Sequence, residues 1–216
     1  ASLRTRHEDM PYRQFLKLVR ARLGETERGR EVGYADAAEF VGDIRIVVAS
    51  LAENRGVHAG WFAARRLLRR AETFGFHLAT LDLRQDSAIH DLALGALLGD
   101  ADWATREVDE RVVRLKAVLA DSGSVAACDD ETARRTLAVF GTVAQLRPRY
   151  GEQAFGPYII SMSRSAADAL AVLALARIAG CVDAAGQVPL DVAPLFETVA
   201  DLDAAEAVVA ALFADD

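Results

Sequence analysis

Three times from residue 74 onward the chain runs through a short apolar stretch, halts in polar residues and begins a helical pattern at once. The first case is residues 74–87, where Phe76, Leu78, Leu81 and Leu83 lead into Arg84, Gln85, Asp86 and Ser87. The second is 156–163, followed by Ser165-Ala-Ala-Asp168, and the third is 188–196, closing on Glu197 and followed by Thr198-Val-Ala-Asp201. A hydroxyl residue with an acid three positions later has the spacing of a capping box, which satisfies the free amides at the start of a helix. Each such cap contributes about 1 kcal/mol, so the repeat marks strand-to-helix junctions. Three strand–helix units with helices between them predict parallel strands joined by crossovers, in a helix-rich α/β fold.

In sheets of this kind the ligand lies beyond the carboxyl ends of the strands. Those ends offer Arg84, Gln85 and Ser87, then Met162, Ser163 and Arg164, then Glu197. A guanidinium facing a carboxylate suits a phosphorylated or carboxylated substrate with a divalent metal, since arginine holds oxyanions in a fork and glutamate binds hard cations. Charge placed at strand ends for solubility is the competing explanation.

The rest of the pattern is helical: 11–23, 36–53, 58–73, 89–98, 108–119 and 130–147, with helices opening at 169 and 202 after the caps. Gly24, Gly29 and Gly33 mark 24–34 as a charged surface loop, and residues 1–9 read as a frayed end or a cloning boundary. Arg65, Arg66, Arg69 and Arg70 share one side of the third helix; a solvated face explains them better than an anion or nucleic-acid patch. With 25 basic against 32 acidic residues the net charge is −7, which argues against nucleic acid as the main partner. At 52% hydrophobic and 26% charged residues the chain has a globular composition. No apolar run reaches the ~18 residues of a membrane span. Cys128 and Cys181 are too few for a disulfide scaffold and lack metal-ligand spacing, so the expected compartment is the cytoplasm.

Four blocks of the sequence resemble the phosphoenolpyruvate carboxylase family. Phe74-Gly75 through Leu81-Asp82-Leu83-Arg84-Gln85-Asp86-Ser87 is similar to its "FG…L..LD.RQ.S" signature. Tyr158-Ile-Ile-Ser-Met162 with Asp168-Ala-Leu-Ala-Val172 resembles "YVISM…SDVLAV", and Val192-Ala-Pro-Leu-Phe-Glu-Thr198 with Asp201-Leu202 resembles "V.PLFET..DL". Pro11-Tyr12-Arg13 fits the helix that the family places upstream.

The resemblance implies a segment of a modified β/α (TIM-type) barrel over 74–216, with βα units starting near 76, 157 and 188, behind an N-terminal helical segment, 1–73. It implies the joining of phosphoenolpyruvate to bicarbonate, giving oxaloacetate and phosphate, with Mg²⁺ or Mn²⁺ as cofactor. Phosphate passes to bicarbonate and leaves an enolate, which attacks the released carbon dioxide. Matched by motif, Arg84 takes the phosphate-gripping catalytic role and Glu197 that of a metal-binding carboxylate. Gln85, Ser87 and Met162 fall in matched segments as substrate-side residues without an assigned step. The implied parent is a homotetramer.

The match departs from the family in places. Asp86 stands where the family usually has glutamate, and its "RPLL" segment is absent near 122–127. The family's bicarbonate-side histidine, second metal carboxylate, lysine block and arginine-rich loop have no counterpart in the chain. A β/α barrel takes about 250 residues and eight strands, so three strands are a slice. The expectation is an excised or truncated piece, inactive alone, from a parent several-fold heavier than 23.3 kDa. Its open sheet edges favour self-association.

Rival readings are a non-catalytic scaffold module of the same descent and a different phosphate-handling barrel enzyme. His77, among apolar neighbours in the first strand, reads as structural. His90, close to Arg84, is the better acid–base candidate of the two.

Overall fold

A computed structural model describes residues 9–121 and 128–214. The expectations at 1–8 and for the diverged connection at 122–127 lie outside the described residues. The chain divides into two compact units: residues 1–80 with 148–154, and residues 81–147 with 155–216.

The first unit is helical: α1 (Pro11–Glu27), α2 (Ala37–Glu53) and α3 (Trp61–Phe74), with a 3-10 turn at Gly56–His58. Asp36 caps α2 by accepting from the Glu39 amide. The helix buries Phe40, Val41, Ile44, Val47 and Leu51, the face that its 3.6-residue period predicts. Val19, Tyr34, Phe40, Val41, Ile44 and Ala71 form the core of this unit. Two expectations fail here. α1 runs past Gly24 to Glu27, because a helical glycine costs only about 1 kcal/mol and the residues after it keep the helix going. On α3 helical spacing predicts an apolar stripe of Trp61, Ala64, Leu67, Leu68 and Ala71, yet only Ala71 is buried and Leu67 is exposed.

The second unit holds a three-stranded sheet in the order β1-β2-β3, all pairs parallel. β1 is Leu81–Asp86, β2 is Phe155–Ser161 and β3 is Val192–Pro194. α4 (Ser87–Leu98), α5 (Val108–Ala120) and α6 (Glu131–Tyr150) lie between β1 and β2 in the chain; α7 (Ala166–Ile178) follows β2 and α8 (Val199–Phe213) follows β3. The expected helix-rich α/β class with three parallel strands is therefore present. α7 is apolar nearly all round and buried from Ala167 to Ala176 except at Leu173, as a helix in a core must be. Phe140 of α6 stacks on Tyr158 of β2, with centroids 5.1 Å apart and rings tilted by 13°.

The strand limits differ from those expected. Residues 75–80 belong to a turn, so the first βα unit starts at Leu81 and not near 76. Gly75 (φ 51°) and Leu78 (φ 69°) take left-handed backbone, and the Leu78 amide returns to the Phe74 carbonyl at 2.9 Å. The alternating apolar residues there mimic a strand while their backbone bonds are local. His77 accordingly sits in a turn. The third strand is three residues long and starts at Val192 rather than near 188; Pro189 has no amide to give a ladder. Pro148 does not end α6, which continues to Tyr150, because a proline near a helix end removes one bond without stopping the last turn.

Candidate active site

The carboxyl ends of the three strands bring together residues from 113 positions apart. Parallel register sets Arg84 against Ile159 and Asp86 against Ser161, while Ile160 pairs with Pro194. β3 then extends its ladder irregularly: the Leu195 amide donates to the Ile160 carbonyl at 2.9 Å and the Ser163 amide to the Leu195 carbonyl at 3.2 Å. That extension carries Glu197 to the β2 end.

There the Arg84 guanidinium donates through Nη2 to Glu197 Oε1 at 3.0 Å and through Nε to Ser161 Oγ at 2.7 Å. The Met162 amide donates to the other Glu197 oxygen, Oε2, at 3.1 Å. Met162 achieves this with left-handed backbone, φ 55°, costly for a residue with a Cβ and therefore held by its neighbours. The same twist offers its carbonyl to Ser87, whose hydroxyl donates to it at 2.8 Å. Asp201 fixes the start of α8 by accepting from the Thr198 amide at 2.9 Å and the Glu197 amide at 3.3 Å. These backbone donors hold the Asp201 carboxyl below the usual range.

Of the residues singled out from sequence, Arg84, Met162, Ser87 and Glu197 form one bonded group. Gln85 stays apart: it is half-buried and its side-chain oxygen accepts from the Asp86 amide at 2.9 Å. Asp86 caps α4 through the Ala88 amide, so its carboxylate is spent on the helix. Ser161 went unassigned from sequence; only the pairing of Asp86 with Ser161 reveals that it faces Arg84. His90 is 1% exposed, with Nε2 2.8 Å from the Tyr158 hydroxyl. Burial pushes its pKa down to about 4, against weaker upward pulls from Asp168 and Asp86, which makes it a neutral structural group.

Does this set fit a hard divalent cation? Among the described residues no three His, Cys, Asp or Glu gather as a ligand cluster. Glu197, however, has about four acceptor positions and uses two of them, on Arg84 and Met162. Magnesium commonly takes one or two protein carboxylates and completes its shell with water and substrate oxygens. The carboxylate fits as one such ligand.

A three-stranded parallel sheet packed with helices, with Arg84 and Glu197 meeting at its carboxyl edge, makes this a helix-rich α/β protein. The family itself is also clear. The family model of phosphoenolpyruvate carboxylase matches residues 1–216, and the chain belongs to that family. A phosphoenolpyruvate carboxylase of Xanthomonas campestris is 48% identical over 215 residues, covering 100% of this chain and 24% of the relative. Those of Rhodopseudomonas palustris and Burkholderia vietnamiensis are 37% and 34% identical, covering 91% and 95% of this chain and 21% and 24% of the relatives. The chain thus spans about a quarter of the length of the curated relatives it matches. No described helix is long and apolar enough to cross a membrane.

Proposed function

We propose that this chain supplies part of the active site of a phosphoenolpyruvate carboxylase, which converts phosphoenolpyruvate and bicarbonate to oxaloacetate and phosphate. The observation that carries the reading is the Arg84–Glu197 pair at the carboxyl edge of the parallel sheet. The sheet is read as three strands of a larger β/α barrel, and the chain alone as inactive.

In this reading Arg84 grips the substrate phosphate. Two of the five guanidinium donors are occupied, by Ser161 and Glu197, and the rest remain for an oxyanion. The Ser161 bond fixes the plane of the fork, so orientation is set before substrate arrives. Glu197 would hold Mg²⁺ or Mn²⁺, with its carboxylate aimed by the Met162 amide. A bound cation supplies Lewis-acid stabilisation of negative charge developing on substrate oxygen. Met162, 38% exposed, lines the approach with its side chain. Ser87, buried beneath it, supports the turn, and Gln85 stiffens the end of β1. The reading also takes the parent protein to be a cytoplasmic homotetramer.

The test is an assay of the full-length polypeptide with phosphoenolpyruvate, Mg²⁺ and bicarbonate, following oxaloacetate by its reduction with malate dehydrogenase. Bicarbonate-dependent oxaloacetate is expected. Its absence with a folded protein overturns the reading.

A further inference from the structure

Behind the strand ends lies a buried charge network that the site as described does not use. Arg111 of α5 is 6% exposed and donates from Nη1 to Asp91 of α4 and from Nη2 to Asp168 of α7, each at 3.2 Å. The two carboxylates are 4% and 2% exposed. Asp91 also accepts from the Trp103 indole at 3.2 Å, and Arg164 reaches it at 3.6 Å. Asp168 turns its second oxygen to the amides of Arg164 and Ser165, at 2.7 and 2.8 Å.

The two aspartates occupy matching places. Asp91 sits one helical turn after Ser87, at the start of the helix that follows β1; Asp168 sits in the first turn of the helix that follows β2. One guanidinium spanning both therefore clamps the two helix starts together. The turn at 162–165 hangs between that clamp and the site. At one end Asp168 holds its Arg164 and Ser165 amides; at the other, the strained Met162 backbone holds Glu197 and Ser87.

We propose that Arg111 is a positioning residue for Glu197. It touches neither Arg84 nor Glu197, and acts by holding Asp168, which fixes the 162–165 turn and with it the amide that aims the carboxylate. The planar fork is essential to this, since a lysine keeps the charge but has one nitrogen where two carboxylates must be spanned. This inference rests on the metal-holding role given to Glu197 above.

The experiment uses the full-length polypeptide with Arg111→Lys and Arg111→Met. Amide hydrogen exchange and the Mn²⁺ concentration giving half-saturation, followed by paramagnetic resonance of free Mn²⁺, are read on each. In Arg111→Lys, exchange at 162–165 is expected to quicken at least tenfold while the interiors of α4 and α7 exchange as in the wild type. Mn²⁺ half-saturation is expected to rise at least tenfold, and kcat at saturating Mn²⁺ to change less. Unchanged exchange at 162–165, or exchange raised equally throughout α4, α5 and α7, overturns the positioning role. If wild-type protein binds no Mn²⁺ and carboxylates nothing, the functional reading falls, and the exchange pattern alone decides the role of Arg111. Should Arg111→Met fail to fold, Arg111→Lys carries the same comparison.

Discussion

Replacing His90 with glutamine isolates one titration whose size follows from the structure. His90 is sealed in the core against Tyr158, and burial lowers its pKa to about 4, whereas an unfolded histidine titrates near 6.5. Below pH 6.5 the unfolded chain takes up a proton that the folded chain refuses. The stability that His90 allows is therefore complete above pH 6.5 and is lost as the pH falls towards 4. The full gap corresponds to about 3 kcal/mol, of which about 2 kcal/mol is lost between pH 7 and pH 5. His90→Gln keeps an amide near the Nε2 position and removes the titration. Urea unfolding of the 216-residue chain, followed by tryptophan fluorescence at steps from pH 7 to pH 5, gives the two stability curves. The variant starts lower, but the wild type should fall towards it by about 2 kcal/mol over that range. Parallel curves would refute the reasoning, because they would mean that the folded chain protonates His90 as readily as the unfolded one.

Arg84→Lys separates chemistry from stability. The Arg84 and Glu197 side chains are 56% and 32% exposed, so their ion pair contributes no more than about 1 kcal/mol to folding. Turnover of phosphoenolpyruvate in the full-length protein should nevertheless fall on the order of 100-fold, and unchanged kinetics refute the fork role. Glu197→Ala in the same protein should abolish metal-dependent turnover with little change in melting temperature; near-normal activity would sink the metal assignment. Phe140→Ala empties a fully buried ring site beside Tyr158 and should cost about 3–5 kcal/mol in a denaturant titration. Thr198→Ala removes the hydroxyl that accepts from the Asp201 amide at 3.1 Å and should lower stability by about 1 kcal/mol, read from the same titration.

Local signals and long-range ones were legible to different degrees. At Thr198 both arms of the capping box are made, because hydroxyl-to-amide geometry is local and four residues contain all of it, while at Ser165 the Asp168 carboxylate accepts from the Ser165 amide at 2.8 Å. Apolar periodicity likewise located the buried face of α2. It misled at 75–80, where alternation persists but positive φ at Gly75 and Leu78 breaks the strand. The motifs pointed to Arg84 and Glu197, yet nothing local to either gives a separation of 3.0 Å, which depends on the parallel register of β1 with β2 and on the extension of β3. Ser161 and Arg111 were invisible for the same reason. Their partners lie 77 positions away in one case, and 20 and 57 in the other. A buried arginine is recognised as such only when both of its carboxylates are in place.

The left-handed backbone of Met162 sets a rule for how this corner can evolve. Both of its hydrogen bonds are made by the main chain, so the frame of the site does not depend on the thioether. What the position does require is a residue that tolerates φ near 55°. Glycine and asparagine do so readily and unbranched side chains at modest cost, whereas valine, isoleucine and threonine crowd their own backbone there. Substitution at residue 162 is thus filtered by branching at Cβ before polarity or size is consulted. A hydrophobic exchange as mild as methionine to isoleucine would disturb the carboxylate of Glu197 more than the loss of the whole side chain to glycine.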